Sequence, residues 1–226
     1  LEVACIQTEL IWENPKENRA VFEDKINQLA QVDLIILPEM FSTGFTMNPS
    51  SVAESMDGLT VQWMVKMAQS TDAAIMGSLV IKEKGHYFNR LVFAEPSGEI
   101  KQYDKRHAFT LAGEDKAYTV GQDKLIITYK DWKICPMICY DLRFPVWSRN
   151  RNEYDVLIYV ANWPKPRILA WDTLLKARAI ENMSYCVGVN RIGQDINGYE
   201  YIGHSAVYGP LGEELSTSLA KDITTV

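Results

Sequence analysis

The sequence predicts an α+β domain in which two sheets pack together and helices cover the outside. Apolar runs of strand length recur along the chain, and two of them, at 33–37 and 155–161, are continuous enough to be buried strands. Segments with helical spacing alternate with some of these runs, whereas short turns containing Gly or Pro join others as antiparallel hairpins. Because no repeat and no low-complexity linker divides the chain, we expect one domain over residues 1–226.

The first half of the chain is predicted to contain five strands and two helices. Asn14 followed by Pro15 is typical of a helix N-cap and the first helical position. Gly85 and the Pro-Ser-Gly turn at 96–98 separate three successive strands. The predicted strands are 2–8, 33–37, 73–82, 87–94 and 99–103, and the predicted helices are 15–30 and 60–69.

The second half is predicted to contain five more strands and two more helices. The first two strands form a further antiparallel pair, and Pro166 opens the longer helix. The turn at 193–198 separates the last two strands. The predicted strands are 125–129, 132–138, 155–161, 185–190 and 201–208, and the predicted helices are 146–151 and 167–181.

Composition argues against several classes of partner. The net charge is −6 with the two signs interspersed, whereas nucleic acids and anionic membranes bind basic patches. No apolar run approaches the length of a membrane-spanning helix. We therefore expect neither a nucleic-acid nor a membrane partner.

The four cysteines predict a reducing compartment. Each lies in an apolar, strand-like run, and the chain is long enough to fold without disulfides. Cys135 and Cys139 would lie about 13 Å apart on one strand, at roughly 3.3 Å per residue, which is too far for a disulfide or a shared metal. The expected location is the cytoplasm.

Cys139 is the candidate nucleophile. It follows the apolar strand at 132–138, where Pro136 disfavours a helix, and the polar residues Tyr140 and Asp141 come directly after it. A nucleophile at the end of a buried strand, followed by a sharp turn, is presented beside backbone N–H donors. A buried structural cysteine is the alternative.

Other chemically reactive side chains also follow predicted strands. Glu39 comes after the strand at 33–37, and Lys105 comes after the strand at 99–103, with Glu114 nine residues later. Ligands of α/β sheets collect at the carboxyl ends of strands, so these groups are candidates for one site. Taken singly, they are also compatible with a loop acid and a surface lysine.

The histidines offer an alternative base for a cysteine hydrolase. His86, His107 and His204 have no telling spacing to Cys139, and none of the three pairs has the spacing of metal ligands. A Cys–His hydrolase that uses His107 or His204 therefore stays open, and no metal site is predicted.

Three motifs resemble the signatures of the nitrilase, or carbon–nitrogen hydrolase, superfamily. They are LPEMFSTGF at 37–45, YDKRHAF at 103–109 with AGED at 112–115, and ICYDLRFP at 138–145, in the order of the family. Segments at 161–164, 176–182 and 190–205 also resemble it, so the similarity covers nearly the whole chain. The resemblance implies a four-layer αββα sandwich, a homodimer, and chemistry without cofactor or metal.

The resemblance also implies roles for individual residues. Glu39 is the general base, Lys105 stabilises the oxyanion and Cys139 is the nucleophile, while Glu114 orients substrate or assists proton transfer. The backbone N–H of Tyr140 completes the oxyanion hole. Three residues near strand ends are candidates for substrate binding: Phe45, Arg143 and Trp163. As alternatives, Arg143 could form an ion pair with Asp141, and the two aromatic residues could belong to the core.

The motifs are most similar to the ω-amidase branch, which cleaves terminal amides of dicarboxylic acid monoamides such as α-ketoglutaramate. Nitrilases usually carry Trp-Glu after the cysteine, whereas Tyr140-Asp141 stands here, which favours amides over nitriles. The expected reaction releases ammonia and forms a cysteine thioester, which water then hydrolyses. The alternatives are an N-carbamoyl amidohydrolase, a nitrilase, and a non-catalytic binding module on the same fold.

Overall fold

The computed structural model describes residues 1–216 and 223–226 and contains thirteen strands in that part of the chain. Six belong to one sheet, five to another, and two form a small hairpin. In chain order they are β1 (Val3–Ile6), β2 (Leu34–Ile36), β3 (Ala74–Glu83), β4 (His86–Ala94), β5 (Ile100–Asp104), β6 (Ile127–Tyr129), β7 (Trp132–Ile138), β8 (Val156–Ala161), β9 (Tyr185–Asn190), β10 (Ile192–Gln194), β11 (Glu200–Ile202), β12 (Ala206–Tyr208) and β13 (Ile223–Thr225).

Three longer helices flank these sheets, and three short ones lie in the connections. They are α1 (Pro15–Ile26), α2 (Pro49–Val52), α3 (Leu59–Thr71), α4 (Glu114–Ala117), α5 (Pro145–Ser148) and α6 (Ile168–Asn182). Turns of 3₁₀ helix occupy Thr110–Ala112, Cys139–Arg143 and Lys165–Arg167. No helix in the described ranges is long and apolar enough to cross a membrane.

The two large sheets have related topologies. The first has the strand order β13-β1-β2-β3-β4-β5, with β1, β2 and β3 parallel and the remaining pairs antiparallel. The second has the order β12-β9-β8-β7-β6, with β7, β8 and β9 parallel and antiparallel pairs at both edges. The parallel strands therefore lie next to one another in each sheet, and their carboxyl ends share one edge.

Alternating residues of the first sheet face two different cores. Cys5 and Met76 belong to the core that also contains residues of the second sheet, such as Ile134 and Leu157. Neighbouring residues of the same sheet, such as Ala4, Ile35 and Ile75, face the other way into a second core. There they pack with Phe22 of α1 and Met64 of α3. The helix α6 covers the second sheet through Trp171 and Leu175. These layers confirm the predicted α+β sandwich of helices, two sheets and helices.

Several predicted elements differ in extent from the structure; the helix predicted at 15–30 ends at Ile26, and the strand predicted at 2–8 covers only Val3–Ile6. The strand predicted at 201–208 is divided into β11 and β12, because Gly203 and His204 both take positive φ, at 75° and 60°. A strand needs negative φ, so the ladder breaks there. The helix predicted at 146–151 ends at Ser148. Beyond it, the side-chain amide of Asn150 donates a hydrogen bond to the backbone carbonyl of Tyr154.

Contact between α6 and the second sheet depends on a glycine. A Cβ placed on Gly188 of β9 would lie 2.8 Å from the Trp171 ring and would overlap the Leu175 side chain. We expect Gly188→Ala to lower the free energy of unfolding by about 1–3 kcal/mol through overpacking. Leu175→Ala alone should cost about 2–5 kcal/mol because it leaves a cavity.

The double variant Gly188→Ala/Leu175→Ala tests whether these two sites share one space. Since the added methyl group occupies part of the cavity, the double variant should lose less stability than the sum of the single variants. Urea unfolding of the four proteins measures this difference. Strictly additive losses would contradict the proposed contact.

Candidate active site

Cys139 occupies a strained turn at the carboxyl end of β7. Its φ is +45°, a conformation that side-chain-bearing residues seldom adopt, and it begins the 3₁₀ helix Cys139–Arg143. The sharp turn carries Cys139 out of the strand, so that it lines a cavity of about 740 Å³. Its side chain stays largely buried, with 8% of the residue exposed.

Asp141 fixes this turn to the neighbouring sheet. Its carboxylate accepts hydrogen bonds from the backbone N–H of Ile138 at 3.1 Å and of His107 at 2.9 Å, and from the Tyr103 hydroxyl at 2.8 Å. Tyr103 and His107 flank Lys105 in sequence. Asp141 therefore ties the turn of the candidate nucleophile to the segment that carries the lysine.

Glu39 lies just beyond β2 and is completely buried. One carboxylate oxygen accepts hydrogen bonds from the Lys105 ammonium at 2.8 Å and from the Asn89 amide at 2.8 Å. The other accepts the backbone N–H of Asn162 at 2.8 Å. Asn162 follows β8 in the second sheet, so this contact joins the two sheets at the site.

Lys105 follows β5 and is placed between two carboxylates. Its Nζ lies 2.8 Å from Glu39 and 2.9 Å from both carboxylate oxygens of Glu114. Glu114, the first residue of α4, is held by the backbone N–H of Phe109 at 2.6 Å and by Asn89 at 3.1 Å. One amide and one ammonium thus hold both acids.

Charge and burial set the protonation states. Burial alone would lower the pKa of Lys105, but the carboxylates of Glu114 and Glu39 outweigh it, and the pKa is raised well above its usual value. Burial also raises the pKa of Glu114, with Lys105 opposing. The Cys139 thiol has its pKa raised well above the usual value by burial and by the charge and hydrogen bonding of Glu39, with Lys105 opposing. The lysine is therefore charged and the resting thiol is protonated at neutral pH.

The structure brings together the four predicted catalytic side chains, Glu39, Lys105, Glu114 and Cys139, although Cys139 alone of these lines the cavity. The other three lie behind it, shielded from solvent. Such a buried arrangement is what a dry catalytic centre needs, because charges interact strongly where water is excluded.

The remaining predicted residues also line the cavity: Phe45, Tyr140, Arg143 and Trp163. The Phe45 ring centroid lies 5.3 Å from Lys105 Nζ. The guanidinium of Arg143 lies 5.1 Å from the Trp163 ring, and no ion pair joins it to Asp141 within the described residues. Asp141 instead uses its oxygens on the partners given above, so the alternative ion pair is wrong.

The Cys–His alternative is contradicted by the positions of the histidines. His107 Nδ1 lies 2.8 Å from Asp141, and its ring stacks on Phe144 at 3.7 Å. His204 Nδ1 lies 3.1 Å from the carboxylate of Asp172. The charged groups that shift the pKa of the Cys139 thiol are instead Glu39, Lys105 and Glu114. In the described ranges, no cluster of three or more His, Cys, Asp or Glu side chains has the arrangement of a metal site.

Sequence reasoning missed two asparagines that organise the acids. Asn89 is a buried amide in β4, directly before the buried Arg90, and its oxygen accepts a hydrogen bond from Ser78 at 2.8 Å. Asn162 also donates its side-chain amide to the backbone carbonyl of Glu39 at 2.5 Å. The available signal for Asn89 was a polar residue, next to Arg90, within a predicted strand whose other inner residues are apolar, since buried polar groups are normally paired.

This fold and this buried group of acids and lysine beside a cysteine define a class of hydrolase. The chain belongs to the carbon–nitrogen hydrolase family, which it matches over residues 2–224. It is 42% identical over 226 residues to the omega-amidase YafV of Escherichia coli strain K12, covering 100% of this chain and 88% of that protein.

Two further relatives agree. The 2-oxoglutaramate amidase of Bacillus subtilis strain 168 is 31% identical over 220 residues, covering 95% of this chain and 85% of that protein. The crystal structure of XC1258 from Xanthomonas campestris, a CN-hydrolase superfamily protein, has a TM-score of 0.97 and 41% identity, covering 100% of this chain and 89% of that one. The predicted superfamily and the prediction of a carbon–nitrogen hydrolase are confirmed, which disfavours the non-catalytic binding module.

The role of Asn89 leads to a kinetic prediction. Asn89→Ala removes a donor from two buried carboxylates, and hydrogen bonds to charged groups contribute about 1.5–3 kcal/mol. We expect kcat for release of ammonia from an amide to fall about 10- to 100-fold with little change in KM.

His86→Ala, an exposed position on the same strand, is the matched control and should keep the kcat of the original enzyme. Circular dichroism would show that both variants fold. An unchanged kcat in Asn89→Ala would show that the carboxylates keep their positions without this amide.

Proposed function

We propose that this enzyme is an ω-amidase that hydrolyses the terminal carboxamide of a 2-oxo dicarboxylic acid monoamide, such as α-ketoglutaramate, to the dicarboxylic acid and ammonia. The observation that carries the proposal is the buried contact of Lys105 with Glu39 and Glu114 behind Cys139, at a cavity that also contains Arg143. The 42% identity to an omega-amidase over the full chain supports the substrate class.

In the proposed first half-reaction, Cys139 is the nucleophile and Glu39 is the general base. The thiol proton passes to the Glu39 carboxylate while the sulfur attacks the amide carbon. Between an ordinary carboxylate and an ordinary thiol this transfer is uphill by roughly 4 pKa units, or about 6 kcal/mol. Since burial raises the pKa of the thiol further, proton transfer must accompany formation of the C–S bond.

The tetrahedral oxyanion is stabilised by Lys105 and by the backbone N–H of Tyr140. Tyr140 is the second residue of the 3₁₀ helix Cys139–Arg143, and the first N–H groups of a helical turn have no acceptor within it. When the C–N bond breaks, the nitrogen takes the proton from Glu39 and leaves as ammonia. A thioester on Cys139 remains.

In the second half-reaction, Glu39 takes a proton from water while the water oxygen attacks the thioester carbon. The new tetrahedral intermediate collapses with cleavage of the C–S bond, and the sulfur takes the proton back from Glu39. Glu114 assists by holding Lys105 with both oxygens. Lys105 therefore keeps its position and charge through both steps.

We place the rest of the substrate against the cavity lining. Arg143 suits the far carboxylate, because a guanidinium binds carboxylate with two parallel hydrogen bonds. Phe45 and Trp163 form apolar walls for the methylene groups between the two ends. A substrate of this kind places its amide at Cys139 and its charge at the arginine.

The setting of the enzyme also belongs to the proposal. The four cysteines are free, which suits a reducing compartment such as the cytoplasm. A core shared by both sheets supports one catalytic domain over residues 1–226. The homodimer and the absence of nucleic-acid and membrane partners stay predictions.

Side-by-side assays of ammonia release test the proposed function. Of α-ketoglutaramate, glutamine, an N-carbamoyl amino acid and a simple nitrile, we expect the highest kcat/KM for α-ketoglutaramate. Cys139→Ala should abolish the activity because it removes the attacking atom.

Cys135→Ala is the matched control, since Cys135 lies buried within β7, the strand that Cys139 follows, and does not line the cavity; this variant should retain activity. Faster turnover of the carbamoyl compound or the nitrile would overturn the proposed substrate class. Retained activity in Cys139→Ala would overturn the mechanism.

A further inference from the structure

A second guanidinium lines the cavity and has no role in the steps above. Arg167 ends the 3₁₀ helix Lys165–Arg167, which follows β8, and its side chain is half-buried. Its guanidinium lies 4.7 Å from the centroid of the Phe109 ring. Arg167 thus reaches the same cavity as Cys139 and Arg143 from a different segment of the chain.

Aromatic contacts hold both arginines near the reacting cysteine. The indole N–H of Trp163 donates a hydrogen bond to the backbone carbonyl of Arg167 at 2.7 Å. The Arg143 guanidinium lies over the ring of the same Trp163 side chain. The Phe109 ring beneath Arg167 packs on Tyr140 at 5.1 Å, and Tyr140 directly follows Cys139. The two guanidiniums are therefore attached to one connected wall of the cavity.

Neither of these arginines has an acidic partner among the residues that the structure describes. By contrast, Arg90 pairs with Glu83 and Asp104, and Arg178 pairs with Glu181. The acids of the cavity lining are occupied in other ways. Glu13 accepts from Thr46 at 2.6 Å, and Asp195 accepts from Tyr201 at 2.9 Å.

Two unpaired cations on one wall of the cavity favour an anion between them. A guanidinium is planar, stays charged, and offers paired donors that match the geometry of a carboxylate. Contact with an aromatic ring does not use the N–H donors of a guanidinium, so those donors are available to a ligand. A neutral amide would leave both charges without a counterion, so it should bind less well than an acid of the same length.

We propose that Arg167 is a specificity-determining residue that binds, together with Arg143, the carboxylate at the far end of the substrate. This proposal rests on the proposed amidase function and names the chemical feature that the cavity selects. Arg167 sets the preference for dicarboxylic acid monoamides over neutral amides.

The test compares two linear amides of equal chain length, glutaramate and pentanamide, which differ in that a carboxylate replaces a methyl group. The ratio of their kcat/KM values isolates recognition of the carboxylate. In Arg167→Met this ratio should fall about 10- to 100-fold, as expected for loss of charge-assisted hydrogen bonds. Arg167→Lys keeps the charge but loses the planar guanidinium, so its ratio should lie between those of the original enzyme and Arg167→Met.

Lys165→Met is the matched control. Lys165 is an exposed cation two residues away that pairs with Glu200 at 2.7 Å and does not line the cavity, so its loss should leave the ratio unchanged. An unchanged ratio in Arg167→Met would overturn the proposal. An equal loss for both amides would also overturn it, because that result indicates a structural role.

Calorimetric titration with glutarate separates this proposal from the proposed function. Glutarate carries the carboxylate but no amide, so its binding does not depend on catalysis. If the original enzyme released ammonia from neither amide, the amidase function would be wrong, and the titration would still decide the role of Arg167. We expect Arg167→Met to weaken glutarate binding about 10- to 100-fold. Equal affinity of the original enzyme and Arg167→Met for glutarate would refute the proposed role of Arg167.

Discussion

The site depends on the buried ion pairs that the Lys105 ammonium forms with Glu39 and Glu114. Glu39 and Glu114 are both withdrawn from water, and without a cation between them their charges would repel in a medium of low dielectric. Lys105 lies within 2.9 Å of both and balances one of the two charges. Removal of one partner of such a buried group typically costs about 3–5 kcal/mol, so the three side chains hold their positions as a unit. Burial, together with the remaining negative charge, raises the pKa of Cys139 and keeps its resting side chain as a thiol.

The sandwich is what assembles these groups. Glu39 and Lys105 follow strands of the first sheet, whereas Cys139 and Asn162 follow strands of the second. The two sheets pack against each other through a shared core, and the hydrogen bonds from Asn162 to Glu39 connect them at the strand ends. The same packing excludes water from the acids and the lysine. The apolar interior therefore supplies both the positions of the reacting groups and the low dielectric that makes their charges effective.

The sequence predicted those parts of the site that local patterns specify. Cys139 and Glu39 follow apolar runs and Lys105 follows the end of β5, and a strand end is where a buried scaffold presents a side chain. Asn162 was beyond reach because its contact with Glu39 spans 123 residues, which no local pattern contains. Asn89 depends on the pairing of β3 with β4, which brings it to Ser78 and the two acids. Proximity in sequence suggested an ion pair between Arg143 and Asp141, but the Arg143 guanidinium lies over the Trp163 ring while Asp141 binds Tyr103 and His107.

The central claim is that the buried carboxylate of Glu39 removes the proton from Cys139 as the thioester forms. Rapid quenching followed by mass spectrometry measures that acylation directly in the first turnover with α-ketoglutaramate. We expect the acyl group on Cys139 in the original enzyme, and no acylation in Glu39→Gln, although that variant still binds the amide. Acylation of Glu39→Gln at the original rate, or an acyl group on a different residue, would contradict the claim.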